Sequence, residues 1–398
     1  MKTIFLAAGR STRMDPIGDK NFLEFCGEPL IVKLLKNAAA GGLENFIVVA
    51  GKHNAGEIAS VLQKFKFPAT IVEQPNPDDG MAGGVLAGLE KCGAGEVFLL
   101  GGNDAVDPKI YEKMVFEGRS ADGAILAKKV EKYFPGGYLQ TDRKKITTIV
   151  EKPGAGNEPS NLVNIVAHFF RDANELQKLL KQQNFQNPDA YERALHELFQ
   201  QKNFTAVEYS GNWCAVKFPH HVLEMMEFWL EKLPENFVDE SAEVADTARL
   251  RGEKIYISAG AKITDNVVIS GPCFVGKNAI IGTGSLVRGS IIGENCVVGF
   301  NSEIARSFLA KKVSTHIAYV GDSIVDENVN FGAFSCTTNL RLDHKNVKVK
   351  IKDEVLDSGR EKLGAIVGAG TQIGSGAKIM PGRTISNSGF VAPGEVFK

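Results

Sequence analysis

A short apolar strand, TIFLAAG, runs directly into GRSTRM and then DPIGDKNF, so two hydroxyls (Ser11, Thr12) and the cations Arg13 and Lys20, with Arg10 before them, follow one strand end. A strand opening into such a turn forms a phosphate cradle, because backbone N–H groups and basic side chains converge on anionic oxygens. Chemistry at phosphorus suits this residue set: positioned cations stabilise the charge that grows on phosphoryl oxygens, and no protein nucleophile is needed. The alternative is that Arg13 and Lys20 are ordinary surface cations on a strand–helix loop. A second basic segment, NLRLDHKNVKVKIKDEVLDSGREKL (339–363), carries seven Lys/Arg against five Asp/Glu. That bias suits an anionic small molecule, although charge alone favours a solvated arm or one that contacts another subunit.

The elements that must hold these segments are of two kinds. Over residues 1–233, short apolar runs (TIFLAAG, ENFIVVAG, EVFLLGG, DGAILAKK) alternate with helical segments such as PLIVKLLKNAAAGG and AGEIASVLQKF. Strand–helix alternation predicts a mostly parallel sheet covered on both faces. Residues 172–203 read as two helices inserted late in that domain, and 219–233 as an amphipathic helix closed by Pro234. Beyond it the period changes. Val367, Ile373, Ile379, Ile385, Val391 and Phe397 stand six apart, as do Ile257, Ile263, Ile269, Val275, Ile281 and Val287; after one skipped residue the beat resumes at Ile292, Val298 and Ile304. Neither a helix nor an amphipathic strand repeats every six residues, whereas a three-sided parallel β-helix does, with Gly, Asn and Asp turning its corners. The hexads start near Val238, which divides the chain into 1–233 and 234–398. They are expected to break over 305–318 and 338–363, with Val325–Phe331–Thr337 keeping time between.

Composition excludes several classes. With 46 basic and 47 acidic residues, bulk charge does not point to nucleic acid or to an anionic membrane. Six scattered cysteines without a CxxC pair read as reduced, packed thiols of a cytoplasmic protein rather than a zinc site. The N-terminal apolar run is too short for a signal or a membrane span, and no later stretch reaches spanning length.

In order, the residues of the first domain resemble the sugar-1-phosphate nucleotidylyltransferases. L-A-A-G-x-S-T-R-M with Lys20 is similar to their A-A-G-x-G-T-R-(M/L)…P-K signature, with Ser11 for the second glycine and Asp19 for the proline. The resemblance implies that Ala8, Gly9, Ser11, Thr12, Gln74, Gly80 and Met81 bind nucleotide, Gln74 reading the base. It implies Arg13 and Lys20 as catalytic cations and Asp104 as a Mg²⁺ ligand. It further implies that Gly137, Glu151, Lys152 and Asn164 hold the sugar phosphate, although Val166 replaces the glycine of Asn-x-Gly. The W-x-D-V motif that carries a second metal carboxylate reads Trp213-Cys214-Ala215-Val216, leaving Asp104 as the only carboxylate at the metal positions.

The second domain is similar to the acetyltransferase half of the bifunctional glucosamine-1-phosphate N-acetyltransferase/N-acetylglucosamine-1-phosphate uridylyltransferases, above all the archaeal type. YVGDSIVDENVNFGA, NLRLDHK and SGREKLGAIVG carry that resemblance. It implies a Rossmann-like mixed-sheet domain followed by a left-handed parallel β-helix. His316 would be the general base, a histidine near neutral pKa taking a proton from the amino sugar as it attacks acetyl-CoA. Tyr319, Asn330, Asn339 and Lys345 would contact the sugar. Departures are Ala305 for a phosphate-gripping lysine, Phe334 for a glycine and Ala369 for an aspartate. Implied as partners are UTP, a sugar-1-phosphate and acetyl-CoA as co-substrate, with no nucleic acid and no membrane, in a homotrimer. A chain that keeps only nucleotidyl transfer, or a regulatory relative that binds sugar nucleotide, are the other readings.

Overall fold

The computed structural model describes residues 1–398. The chain forms two compact units, one of residues 1–10 and 31–213, the other of 11–30 and 214–398. Segments 11–30 and 214–233 therefore belong to the β-helical unit, a division that differs from the change of texture near 234. The physical reason is apolar anchoring: Phe25 packs on Phe308 with ring centroids 5.2 Å apart, Met14 and Ile17 are buried, and the Gly18 N–H donates to Asp326 at 3.2 Å.

The first unit is built on a nine-stranded sheet. Its strands are β1 (Lys2–Leu6), β2 (Phe46–Ala50), β3 (Thr70–Glu73), β4 (Val97–Gly101), β5 (Gly123–Lys129), β6 (Gly137–Asp142), β7 (Lys145–Glu151), β8 (Leu162–Phe170) and β9 (Phe204–Glu208), in the spatial order β3-β2-β1-β4-β8-β5-β9-β7-β6. The half from β3 to β4 is parallel, as strand–helix alternation predicts. The other half corrects the expectation of a mostly parallel sheet: β8 runs antiparallel to both β4 and β5, and β6–β7 is an antiparallel pair joined by a tight turn at Arg143. Two strands linked by two residues can pair only antiparallel.

Alternation sends neighbouring residues to opposite faces. Ile4, Val49 and Leu99 join a core with α3 (Gly80–Cys92), α5 (Asn174–Gln182) and α6 (Ala190–Gln201). On the other face Phe98 meets Tyr111 of α4 (Lys109–Arg119) edge-on at 5.7 Å. Helix α3 lies unusually close to β1, since a Cβ on Gly88 would stand 2.7 Å from Ile4 Cγ2; only glycine fits there.

In the second unit three eight-stranded parallel sheets form the three sides of a β-helix. Their inward residues stack in register: Ile257–Val275–Ile292–Leu309–Val325–Val367–Ile385 on one side, Ile263–Ile281–Val298–Thr315–Phe331–Ile373–Val391 on the next, and Ile269–Val287–Ile304–Val320–Thr337–Ile379–Phe397 on the third. The expected break over 305–318 does not occur. Leu309, Thr315 and Val320 form a full turn in which the steps from Ile304 to Leu309 and from Thr315 to Val320 are one residue shorter, which puts the six-residue beat out of phase. Thr315 and Thr337 are tolerated inside because their hydroxyls are bonded, Thr315 to Ser302 at 3.2 Å and Thr337 to Ser323 at 2.9 Å. The second expected break is real: residues 338–363 leave the coil and carry an antiparallel hairpin, Lys348–Ile351 with Glu354–Asp357. No helix is long and apolar enough to cross a membrane.

Candidate functional site

The signature segment closes on itself through the two positions where it departs from the family pattern. Ser11, at φ +51°, donates its hydroxyl to Asp19 Oδ1 at 2.8 Å, and the same oxygen accepts from Asn21 N–H at 3.1 Å and Nδ2 at 3.0 Å. Ser11 and Asp19 are thus one feature: a hydrogen-bonded clasp in place of a glycine and a proline that shape the loop covalently. The clasp leaves Thr12 and Arg13 exposed, with Lys20 half-buried beside it. The Arg13 guanidinium lies over the Phe218 ring, 5.5 Å from its centroid. Lys352, at the tip of the β-helix hairpin, donates to Thr12 Oγ1 at 3.4 Å, a cation whose only signal in the sequence is the basic bias of 339–363.

In the first unit Ala8 and Gly9 end the β1 segment, Ala8 partly and Gly9 fully exposed. Gln74 is buried, and its Nε2 donates to the carbonyls of Asn76 (2.9 Å) and Gly80 (3.0 Å), so it braces the turn that starts α3. Gly80 has φ +56°, and Met81 packs its side chain on the core. Asp104 follows β4, and its Oδ1 accepts from Trp213 Nε1 at 2.8 Å. Trp213 is in turn braced by Phe134 at 4.8 Å. No group of three or more His, Cys, Asp or Glu side chains converges to hold a metal. The donor set still fits Mg²⁺: this hard ion takes oxygen ligands, keeps several waters, and binds through one carboxylate plus substrate phosphates.

The four sugar-phosphate candidates lie on β6, β7, β8 and the residue after β7. Gly137 pairs with Glu151 across the β6–β7 ladder, and a Cβ on Gly137 would meet Glu151 Oε2 at 3.3 Å. Lys152, at φ +44°, turns back so that its Nζ sits 3.0 Å from Glu151 Oε1. Asn164, nearly buried, accepts from His168 Nε2 at 2.8 Å. Behind them, burial first and the negative charge of Glu151 second push the Glu192 carboxyl up to about 7. Neither His168 nor Glu192 was singled out from sequence, because nothing in the local pattern tells that a histidine within an apolar strand faces a functional asparagine.

Burial holds the His168 imidazole down at about 3, against the opposing pull of a hydrogen bond with the Ile165 backbone. The unfolded chain titrates near 6.5, so the unfolded state binds the extra proton first as pH falls. Its contribution to stability is fully present above about pH 6.5 and is lost progressively toward pH 3. Urea titrations should show the first unit losing on the order of 5 kcal/mol over that range through this group alone. His168→Phe should flatten that part of the profile; an unchanged slope would contradict it.

Of the acetyl-site candidates, the fold joins two. Tyr319 and Asn339 touch, Asn339 Nδ2 donating to the Tyr319 hydroxyl at 3.1 Å and also to Asp322. Asp322, 1 % exposed, is held by Arg306 in a bidentate pair at 2.7 and 2.6 Å. Arg306 is therefore turned toward this cluster, while Ala305 is enclosed in the coil. Asn330 belongs to the neighbouring side of the β-helix, paired with Ser314 and Gln372, and Lys345 lies on the exposed loop after Asp343. His316 is exposed at a corner between the second and third sides. The corners above and below it are linked by backbone bonds, Ile317 N–H to Phe300 O at 3.2 Å and Phe334 N–H to Ile317 O at 3.1 Å. Phe300 and Phe334 project there, 49 % and 68 % exposed, so the histidine stands between two apolar side chains on an open face.

Comparison with known proteins agrees with both halves. Residues 3–184 match the family described as the MobA-like NTP transferase domain, and residues 233–356 the GMPPB C-terminal domain. The bifunctional sugar-1-phosphate nucleotidylyltransferase/acetyltransferase of Sulfurisphaera tokodaii is 28 % identical, over 100 % of this chain and 97 % of its own. The bifunctional protein GlmU of Methanocaldococcus jannaschii is 29 % identical over 98 % of this chain and 93 % of its own. In fold, the UDP-glucose pyrophosphorylase from Acinetobacter baumanii covers 58 % of this chain and 94 % of its own, with 21 % identity and a TM-score of 0.50. With both halves present in the same order, the chain is similar end to end to GlmU-like bifunctional sugar-1-phosphate nucleotidylyltransferase/acetyltransferases.

Proposed function

We propose that the first activity is transfer of uridylyl from UTP to N-acetylglucosamine-1-phosphate, and the second is acetyl-CoA-dependent N-acetylation of glucosamine-1-phosphate. The observation that carries this reading is the end-to-end similarity to bifunctional relatives, one of which bears both activities in its name, with the signature residues in order. In the first reaction an oxygen of the sugar phosphate attacks the α-phosphorus of UTP in line, and pyrophosphate leaves. Arg13 and Lys20 stabilise the charge that develops on the phosphoryl oxygens and on the leaving group. Asp104 would hold a Mg²⁺ that arrives with the triphosphate and adds to that neutralisation. Glu151 accepts from sugar hydroxyls, Lys152 pairs with the sugar phosphate, and Gln74 with the Gly80–Met81 turn lies against the base.

In the second reaction His316 takes a proton from the sugar amine as its nitrogen attacks the thioester carbonyl, and coenzyme A leaves as the thiol. Tyr319 and Asn339 position the sugar, and the Arg306–Asp322 pair fixes them. Since Asp322 neutralises Arg306, phosphate affinity at this site rests more on Lys345 than on Arg306. An open face carrying Phe300, His316 and Phe334 is completed by a neighbouring copy in a homotrimer. Sedimentation of the full chain at micromolar concentration should give three times the monomer mass of 43.0 kDa; a monomer would contradict this assembly.

The reading as a whole is tested by incubating the protein with Mg²⁺ and a matrix of nucleoside triphosphates against sugar-1-phosphates, following pyrophosphate. UTP with N-acetylglucosamine-1-phosphate should be the best pair. No release with any pair would leave a sugar-nucleotide-binding relative without this activity.

A further inference from the structure

His168 and Asn164 lie four residues apart on β8, a separation of about 13 Å in a regular strand. Their side chains nevertheless meet at 2.8 Å, because the pairing of β8 with β5 shifts register between Ile165 and His168. The irregularity sits at Val166 and Ala167, and folds the strand so that both side chains share one pocket. On the far side of the imidazole, Nδ1 lies 2.7 Å from the hydroxyl of Tyr191 in α6, whose ring stacks on it at an interplanar angle of 6°. His168 is 0 % and Tyr191 1 % exposed, so water cannot serve either.

The direction of this chain of bonds follows from counting protons. The buried imidazole is neutral and carries one N–H. Tyr191 makes its one side-chain hydrogen bond with Nδ1, and a buried hydroxyl left without an acceptor is costly. Tyr191 therefore donates to Nδ1, which places the proton on Nε2. Besides the Ile165 backbone, which also bonds this ring, Asn164 lies 2.8 Å from Nε2, and an amide N–H placed there would oppose Nε2–H, so on Asn164 only Oδ1 qualifies. The carboxamide is thereby locked with its oxygen inward. With Oδ1 turned to the imidazole, the amide N–H groups lie on the side away from His168, and Nδ2 is not among the enclosed polar atoms that lack a partner.

We propose that His168 and Tyr191 are positioning residues that hold Asn164 in one amide orientation, so that it acts only as a hydrogen-bond donor to an acceptor oxygen of the bound sugar. This deepens the nucleotidyl-transfer reading and rests on it. It also gives a role to α6, one of the two helices inserted after β8: its first turn supplies Tyr191, and the adjoining Glu192 sits in the field of Glu151. The acceptor on the sugar is a ring hydroxyl or the carbonyl of a 2-acylamino group. Comparing glucose-1-phosphate with N-acetylglucosamine-1-phosphate separates these sources.

The test is a double-mutant cycle on the full chain with Asn164→Ala, Tyr191→Phe and both together, measuring KM for each sugar phosphate, KM for UTP and thermal midpoint. Tyr191→Phe keeps the ring but frees the imidazole to exchange its proton between nitrogens. It should raise KM for the sugar phosphate about tenfold, a magnitude ordinary for one polar contact, and leave KM for UTP unchanged. In the Asn164→Ala background it should have no further effect. His168→Gln, which retains one donor and one acceptor, should recover part of the affinity that His168→Phe loses. If the acceptor is the acyl carbonyl, only the N-acetylated substrate should respond; if it is a hydroxyl, both should. Additive effects in the cycle, or equal changes in both KM values, would overturn the proposal while wild-type turnover left the functional reading standing. Absence of wild-type turnover would remove that reading instead. Calorimetric titration with sugar phosphate would then decide the proposal on the same cycle, with no binding by wild type counting against both.

Discussion

Arg13→Ala should lower pyrophosphate release from UTP and N-acetylglucosamine-1-phosphate by about 10³-fold, the scale for removing a preorganised charge from a phosphoryl-transfer site. The exposed guanidinium is held only by the face of Phe218, so its loss costs little packing and the thermal midpoint should stay within about a degree or two of wild type. Arg13→Lys should recover only part of the rate, because an ammonium lacks the planar fork that spans two phosphate oxygens. Asp104→Ala should be as severe, since the chain offers no second carboxylate at the metal positions. Ala215→Asp should lower the Mg²⁺ concentration needed for half-maximal rate and deepen the Mg²⁺-dependent thermal shift. If the Mg²⁺ dependence of both readouts stays as in wild type, the interpretation of Ala215 as a missing ligand is wrong. Acetyl transfer should be unaffected by all of these variants.

Replacing His316 with alanine should reduce coenzyme A release from acetyl-CoA and glucosamine-1-phosphate by roughly 10²–10⁴-fold, the usual loss with a general base. Because the histidine is exposed at a corner and makes no internal contact of consequence, the β-helix should keep its stability. Pyrophosphate release should be nearly unchanged. A full acetylation rate in His316→Ala would show that another group takes the proton. No thiol release by wild type with any amino-sugar phosphate would leave the β-helix a structural role.

Much of this molecule is legible in one dimension because its rules are local. A coil side of six residues needs one inward apolar side chain, so the stacks that include Val275, Ile281 and Val287 are written as a period. Helices α5, α6 and the helix His221–Leu230 announce themselves by 3.6-residue spacing. The signature residues Ser11 to Lys20, and the order of Gln74, Asp104, Glu151 and Asn164, are likewise readable because phosphate and sugar chemistry restricts residue type at each place.

What the sequence could not determine depends on partners brought together by folding. The turn through Leu309 and Thr315 reads as a loop, since shortened corners and a polar inward residue break the pattern; Ser302 and the Gly299 N–H, brought beside it by folding, make that threonine acceptable. Ser11 and Asp19 read as two separate departures until one hydrogen bond joined them. Asp322 sat unremarked in an apolar run, yet its burial beside Arg306 organises Tyr319 and Asn339. Likewise a two-residue register shift in β8 decides which way Asn164 presents its amide. Periodicity reports where a side chain points relative to its own backbone. Whether a buried polar group is satisfied, and by whom, is a property of the neighbours that tertiary packing supplies.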